Sequence, residues 1–467
     1  MEHLAAGIDI GTSRIKLHVY DEEDRLVYSE SRPSPLHWHR GRAWHDPQAL
    51  RQALLEMRKK AIEKGAKTIG IALYRASVTA WKPGGETLEP VILWLDRKIH
   101  EEAYRQLPLR ARVASKIPPY NKVINEHTPL PVIHHLHTRH PNARVWTLDA
   151  LVSEWIGAGY RTEPTAAALT GIINPRTLKP IPLIRELAAL RDLQLPLLGD
   201  NILDDEPMNI RAIISDQQAA LLALPCDTIC VKLSLGTGFF ADRRIQGPPP
   251  LTLPRGQLPI VVYKHGKKVE WGIETLAPGA GLAVQGLAEA IGGFQTLHQL
   301  KPKHCKQWQG SILLPYPAGP GAGVGASRVI ILGSPSIIGN EELTCAIVTG
   351  VVGIASHLLW LHSQRSKPKK VYLTGSIASI PLIREILQRV LPGEVFYCRQ
   401  DPTSLGAAIL ASRALSDRHP LTECSNVGVG GELYYEIGKA FDRLLTGFED
   451  EDSAGEIGEL LANLIGD

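Results

Sequence analysis

The 467-residue sequence predicts an α/β protein built from two similar domains, and three observations carry that prediction. Strand-like and helix-like periods alternate along most of the chain, the pattern of sheets covered by helices. A strand, a tight glycine-containing turn and a second strand occur at "GIDIGTSRIKLHVYD" (7–21) and again at "DTICVKLSLGTGFFADRR" (227–244), nearly half a chain later. The length exceeds what one hydrophobic core supports, so two domains of roughly 200 residues each are expected.

The elements follow in order. After the first turn, "DEEDRLVYSE" adds a polar turn and another strand, so residues 5–30 read as a three-stranded meander. "DPQALRQALLEMRKKAIEKGA" then repeats apolar residues at helical spacing. Asp46 is placed to cap that helix, Pro47 suits its first position and Gly65 lies past its end. "KTIGIAL" follows as a buried strand, and the boundary between the halves is expected near the turn-rich "LLGDNILDDEPMN" or the helix after it, "SDQQAALLAL". The second glycine turn comes next, and "PYPAGPGAGVG" (315–325) reads as a long loop at the surface or at an active site. The chain ends in "FEDEDSAGEIGELLANLIGD", an acidic run before an amphipathic segment, read as a solvated tail packing one last helix.

Composition narrows the class. With 44% hydrophobic residues, 21% charged residues and a net charge of +3, the chain has neither the basic excess of a nucleic-acid binder nor the polarity of a disordered protein. No long apolar stretch precedes Asp9, so a cytoplasmic location is expected. The most membrane-like stretch, Cys345 to Leu361, carries Thr349, Ser356 and His357 and reads as a helix buried between domains, not as a span. The six cysteines, at 226, 230, 305, 345, 398 and 424, are scattered and expected to be reduced thiols.

The two turns carry the chemistry. A tight turn presents backbone N–H groups to a concave space, and glycine lets an anion approach them. Around Gly11, the hydroxyls of Thr12 and Ser13 add donors, and Thr237 does so between Gly236 and Gly238. Asp9 beside such a cradle would repel a phosphate unless a cation lay between them, which suits Mg²⁺ held largely through water. The expectation is a nucleotide whose β- and γ-phosphates lie between the turns. The sequence contains no G-x-x-x-x-G-K-[ST], so a P-loop site is not supported.

At this point the chain resembles the FGGY carbohydrate kinases of the sugar kinase, actin and Hsp70 superfamily, from about residue 5 to about 415. "GIDIGTSRIK" and "LSLGTGFF" resemble the two phosphate motifs, and "GRAWHDP" the segment before the first long helix. "PVILWLDRK" and "YRTEPTAAALTGIINPRT" resemble substrate-domain segments. "IISDQQAALLAL" is similar to the segment holding the family's catalytic aspartate, and "VYLTGSIASIPLIREIL" and "PTSLGAAILA" resemble the adenosine motif and its closing helix. The resemblance implies two actin-like (ribonuclease H-like) domains around a cleft: 1–212 mainly for substrate, 213–415 mainly for nucleotide, with 416–467 as a C-terminal extension. It implies phosphoryl transfer from ATP·Mg²⁺ to a sugar or polyol hydroxyl, with Asp216 as base, Asp9 serving the metal, and Gly375 and Ser376 at the nucleoside. Arg75, Ala76, Trp94, Asp96, Tyr120, Asp216 and Gln217 fall at the substrate end. A homodimer without nucleic-acid or membrane partners is the further expectation.

The chemistry expected of Asp216 has a basis of its own, since transferring a phosphoryl group to a hydroxyl needs a carboxylate to accept the proton. An Asp before Gln-Gln-Ala-Ala also suits a helix N-cap. The substrate end departs from the family: glycerol kinases follow the equivalent of Arg75 with Glu, here Ala76, and the Met-His pair of xylulose kinases is missing. The adenosine motif has Gly375-Ser376 where a glycine run is usual, and "GPGAGVG" lacks the aromatic and acidic residues that follow it in glycerol kinases. "HHLHTRH" (134–140) reads as surface and half-buried histidines of an amphipathic helix before a metal site. Two rivals stand beside the sugar kinase: a kinase of a non-sugar hydroxyl compound, and an actin-like nucleotide-binding regulatory protein.

Overall fold

A computed structural model describes residues 4–299, 312–314, 330–332, 340–412 and 424–446. The three-stranded opening forms as read: β1 (Leu4–Ile10), β2 (Arg14–Tyr20) and β3 (Leu26–Pro33), paired antiparallel. Helix α1 (Pro47–Glu63) starts where Asp46 accepts from the N–H groups of Gln48 and Ala49, a cap worth about 1 kcal/mol. Gly65 turns the chain out of it at φ +89°. β4 (Ala66–Leu73) then pairs parallel with β1, and much later β5 (Ile210–Ser215) pairs parallel with β4. The sheet therefore runs β5-β4-β1-β2-β3.

The second half repeats this plan. After α2 (Asp216–Leu222) come β6 (Cys230–Leu235), β7 (Phe239–Ile245), β8 (Leu258–His265) and β9 (Lys268–Ala277). Helix α3 (Ala280–Ala290) and the long α4 (Asn340–Ser363) lead to β10 (Lys370–Thr374), α5 (Pro381–Val390) and β11 (Glu394–Cys398). The last described elements are α6 (Pro402–Ser412), β12 (Cys424–Val429) and α7 (Leu433–Thr446). The sheet runs β8-β9-β7-β6-β10-β11-β12. Its central five, β9-β7-β6-β10-β11, match the first sheet strand for strand: antiparallel on one side of β6, parallel on the other. Between β4 and β5 the chain contributes strands to a smaller antiparallel sheet, which also takes in the hairpin strands Leu36–His39 and Arg42–His45.

The first sheet is covered on both faces, and strand alternation decides which residue meets which cover. Ala6, Ile8 and Ile10 pack with Leu50, Leu54 and Met57 of α1, while Ala5 packs with Leu405, Ala408 and Ile409 of α6. Asp9 falls on the α6 face. The α6 backbone lies directly against β1 and β4, because a Cβ on Gly7 would sit 1.8 Å from the Ser404 carbonyl oxygen and one on Gly70 1.9 Å from that of Ala407.

Two expectations are corrected. The apolar helix α4 is buried within the core of the C-terminal half, beside α7, instead of between domains. By length and composition it is the one helix among the described residues apolar enough to cross a membrane, and its apolar window is 89% buried inside the protein. The cysteines are not free: Cys226 bonds to Cys230, and Cys398 to Cys424. Cys398 and Cys424 lie directly opposite each other on β11 and β12, a pairing that a separation of 26 residues conceals in the sequence. The loop at 315–325 and the acidic run at 448–452 lie outside the described residues.

Candidate active site

The two glycine turns open onto one cleft, a cavity of about 1020 Å³. Asp9, Gly11, Thr12 and Ser13 line it from one side, and Gly236, Thr237 and Gly238 with Gly375 and Ser376 from the other. The first turn is tight, with Gly11 N–H donating to Arg14 O at 2.9 Å. Thr12 is gripped twice: Trp94 Nε1–H donates to its Oγ1 at 3.2 Å and His45 Nε2–H to its carbonyl at 2.9 Å. Tyr74 OH donates to His45 Nδ1 at 2.8 Å, and burial pushes the imidazole down to about 4, so it stays neutral and keeps that tautomer. The second turn rests on the start of α3, where Leu282 N–H donates to Thr237 O at 3.1 Å. Gly375 leaves β10 at φ +94°, a conformation that favours glycine.

Acidic groups converge beside the first turn. Burial pushes the Asp9 carboxyl up to about 7 against the pull of Lys16, and the charges of Asp401 and Asp216 add to the rise. Lys16, on β2, lies 3.4 Å from Asp9 Oδ2 and also pairs with Asp401, which accepts from Thr403 N–H at the start of α6. A hard divalent cation suits this excess of carboxylate oxygen. Among the described residues no three His, Cys, Asp or Glu side chains are grouped to cage a metal. Water and phosphate oxygens would complete the shell of an Mg²⁺ ion at Asp9.

Asp216 is the first residue of α2, and its carboxylate accepts from Gln217 N–H at 2.7 Å while facing the cleft. Burial raises its pKa, and the nearby Arg75 opposes the rise. Arg75 Nε lies 3.7 Å from Asp216 Oδ1, Nη2 donates to Glu274 Oε2 at 2.6 Å, and the guanidinium sits 5.5 Å from the Phe240 ring centroid. Ala76 holds φ +56°, a backbone strain of the kind found beside functional groups, and places no polar side chain in the cleft. Behind Asp216, the fully buried Lys232 lies 2.7 Å from Asp242 Oδ2 and donates to both Gln217 O and Gln217 Oε1 at 2.8 Å.

Two residues expected at the substrate end lie elsewhere. Asp96 is fully buried, caps the helix Arg97–Gln106 by accepting from Ile99 N–H, and pairs with Arg42 at 2.8 Å. Tyr120 packs against the core of the N-terminal half and is absent from the cleft wall, which its neighbours Asn121 and Lys122 reach. Trp94 does line the cleft, at the first glycine turn. Sequence reading missed Lys16, Lys232, Glu274 and Asp401. The alternation of β2 puts Lys16 level with Asp9, their Cα atoms being paired in register, but nothing local marks the other three.

Known proteins share this geometry. Residues 4–199 match the N-terminal domain of the FGGY family of carbohydrate kinases. An uncharacterized sugar kinase from Archaeoglobus fulgidus is 28% identical over 322 residues, 60% of this chain and 65% of that one, so the match spans less than two thirds of that relative. The crystal structure of Plasmodium falciparum glycerol kinase with ADP superposes with a TM-score of 0.77 at 19% identity, covering 94% of this chain and 97% of that one. A gluconate kinase from Lactobacillus acidophilus superposes equally well, at 0.77 and 17% identity over 98% and 100%. The match to the FGGY family of carbohydrate kinases is shown for residues 4–199. The architecture of the chain is the two-domain, actin-like α/β fold of those structures. The duplicated strand order explains why the two glycine turns meet. Each is the hairpin between the first two strands of its five, so both turns occupy equivalent corners of the two units.

Proposed function

We propose that this chain transfers the γ-phosphoryl group of ATP directly to a hydroxyl of a sugar or polyol, with Asp216 as the general base. The observation that carries the reading is the placement of Asp216 on the wall of the cleft shared by both glycine turns. Gly11, Thr12 and Ser13 would hold the phosphates from one side and Gly236, Thr237 and Gly238 from the other, with Gly375 and Ser376 against the nucleoside. Mg²⁺ bound at Asp9 would supply charge neutralisation at the transferring phosphoryl group. The carboxylate of Asp216 accepts the proton of the acceptor hydroxyl as the new bond forms, and its raised pKa makes it a better proton acceptor than an exposed aspartate. Closure over the acceptor excludes water that would otherwise take the phosphoryl group. A non-sugar hydroxyl compound is the second reading, favoured by Ala76, which offers an acceptor no side-chain hydrogen bond.

The test is ADP release with ATP·Mg²⁺ across polyols, pentuloses, hexuloses and cyclitols. Stimulation by one of them, lowered about 100- to 10,000-fold in Asp216→Asn, is the expected result. Full activity in Asp216→Asn would remove the base from the mechanism. Nucleotide binding with no stimulated turnover would favour an actin-like regulatory protein.

A further inference from the structure

The short helix Leu109–Ala114 is held firmly by its inner face: Ala111 and Ser115 are buried, the Tyr104 and Ser115 hydroxyls are hydrogen-bonded at 2.6 Å, and Arg110 Nε–H donates to Leu187 O at 3.3 Å. Its outer face is apolar. Leu109, Val113 and Ile117 recur at four-residue steps, are 69%, 56% and 52% exposed, and line an open groove of about 690 Å³ together with Pro108, Arg110 and Ala114. Exposed apolar residues scattered singly need no explanation, but three that share one groove mark a docking surface. The surroundings are basic, because residues 103–125 contain five Lys or Arg and no Asp or Glu. Arg112 and Lys116, each one residue before an apolar member of the groove, are exposed, and among the described residues neither forms an ion pair.

The sequence supplies a complement to this face. Beyond α7 it continues for 21 residues, 447–467, with seven Asp or Glu and no Lys or Arg. Glu449, Asp450, Glu451 and Asp452 come first, and Ile457, Leu460, Leu461, Leu464 and Ile465 then repeat at the i, i+3, i+4, i+7, i+8 spacing of one helix face. A helix of about ten residues, weakened by Gly458, does not hold in water by itself, so this stripe needs an apolar face to form against. We propose that the C-terminal segment 449–465 docks on the face made by Leu109, Val113 and Ile117, with its apolar stripe in the groove and its carboxylates toward Arg112 and Lys116. This is the mode of an amphipathic helix in a groove, in which apolar anchors give the affinity and opposite charges fix the register. The segment covers the groove of its own molecule or that of a second copy.

Hydrogen exchange on the full chain tests the docking, comparing the parent with Val113→Asp, Leu461→Asp and the double variant Arg112→Glu, Lys116→Glu at low salt. In the parent the amides of 457–465 are expected to exchange at least about tenfold more slowly than in a free peptide of the same sequence. Val113→Asp, at an exposed position, and Leu461→Asp should each remove that protection while the amides of β1 and β4 keep theirs. Reversing Arg112 and Lys116 together should weaken the protection at least about threefold, as should raised salt. Light scattering identifies the groove that is covered: a mass unchanged by Leu461→Asp assigns the contact to one molecule and a halved mass to two copies, and either supports the proposal. Exchange of the parent segment at the free-peptide rate overturns it, as does protection that survives Val113→Asp, which would place the segment on another surface. If the parent segment exchanges freely and the parent binds phosphatidylglycerol vesicles in a way that Val113→Asp abolishes, the face belongs to a membrane surface and the proposal falls. If Val113→Asp disturbs β1 and β4, the double variant decides: weakened protection supports the proposal and full protection overturns it.

Discussion

Gly7→Ala tests whether the seam between β1 and α6 is as tight as it looks and whether the active site depends on it. The new Cβ would lie 1.8 Å from Ser404 O and 2.6 Å from Ser404 C, against the 3.0 Å below which real Cβ contacts are essentially never found. Both clashing atoms are backbone, so no rotamer change relieves them. The helix cannot slide sideways either, because a Cβ on Gly70 would meet Ala407 O at 1.9 Å along the same seam, and where α6 meets α2 a Cβ on Gly406 would meet Ala219 O at 1.8 Å. The remaining response is a lift of α6 by roughly 1 Å, an overpacking cost of about 3 kcal/mol. In a domain of this size that lowers the melting midpoint by about 6–12 °C. Asp401, which heads α6 and pairs with Lys16 beside Asp9, moves with the helix, so ADP·Mg²⁺ affinity should fall as well. Thermal unfolding by circular dichroism and ADP titration read the two effects. A variant melting within about 1 °C of the parent, with unchanged ADP affinity, would refute the packing and its link to the site.

Three further outcomes follow from named contacts. Gly236→Ala meets nothing within 4 Å of its Cβ, so its stability should stay within about 0.5 kcal/mol of the parent while KM for ATP rises at least about tenfold; unchanged KM would mean the turn does not receive a phosphate. Lys232→Met leaves Asp242 buried without its cation and should cost about 3–5 kcal/mol in denaturant unfolding, part of it recovered by adding Asp242→Asn; a neutral Lys232→Met would refute the buried pair. Burial pushes His362 from 6.5 down to about 4, with its Nε2–H donating to Ala241 O at 2.8 Å. A depressed pKa means the unfolded chain takes up the proton first, so this stability is present above pH 6.5 and lost as pH falls towards 4, about 3 kcal/mol at most. The stability difference between the parent and His362→Asn should shrink over that window, and a flat difference would refute the neutral buried ring.

What the sequence made legible was local. The opening meander, the Asp46-capped helix and both glycine turns each declare themselves within about twenty residues, through strand alternation, cap chemistry or turn chemistry. Asp216 sits in a quotable segment, and the structure makes it the first helical residue, one past the N-cap Ser215, with its carboxylate on the cleft wall. Asp96 misled for the converse reason. A Trp-x-Asp-x-Arg stretch reads as a site, yet Asp96 accepts from Ile99 N–H and pairs with Arg42, a capping role that the same letters permit.

The illegible part consists of partnerships between segments far apart in the chain. Glu274 reaches Arg75 from 199 residues away, and Lys16 reaches Asp401 from 385. Neither pair has a spacing to recognise, because each depends on the two halves of the fold being brought together. The same fact gives these pairs mechanical meaning. Lys16 is fixed on β2 beside Asp9, while Asp401 follows β11 of the other sheet, so the ion pair ties the first glycine turn to the end of β11. Arg75, just after β4, and Glu274, on β9, make a second tie. Helix α6, which Asp401 heads, lies directly against β1 and β4, so the Lys16–Asp401 pair fastens that helix to the first sheet, whereas the Arg75–Glu274 pair joins the two sheets. The placement of Asp401 beside Lys16 thus rests on the packing of α6 against β1, and that of Glu274 beside Arg75 on how the two sheets meet, which is why neither could be read from a local stretch of sequence.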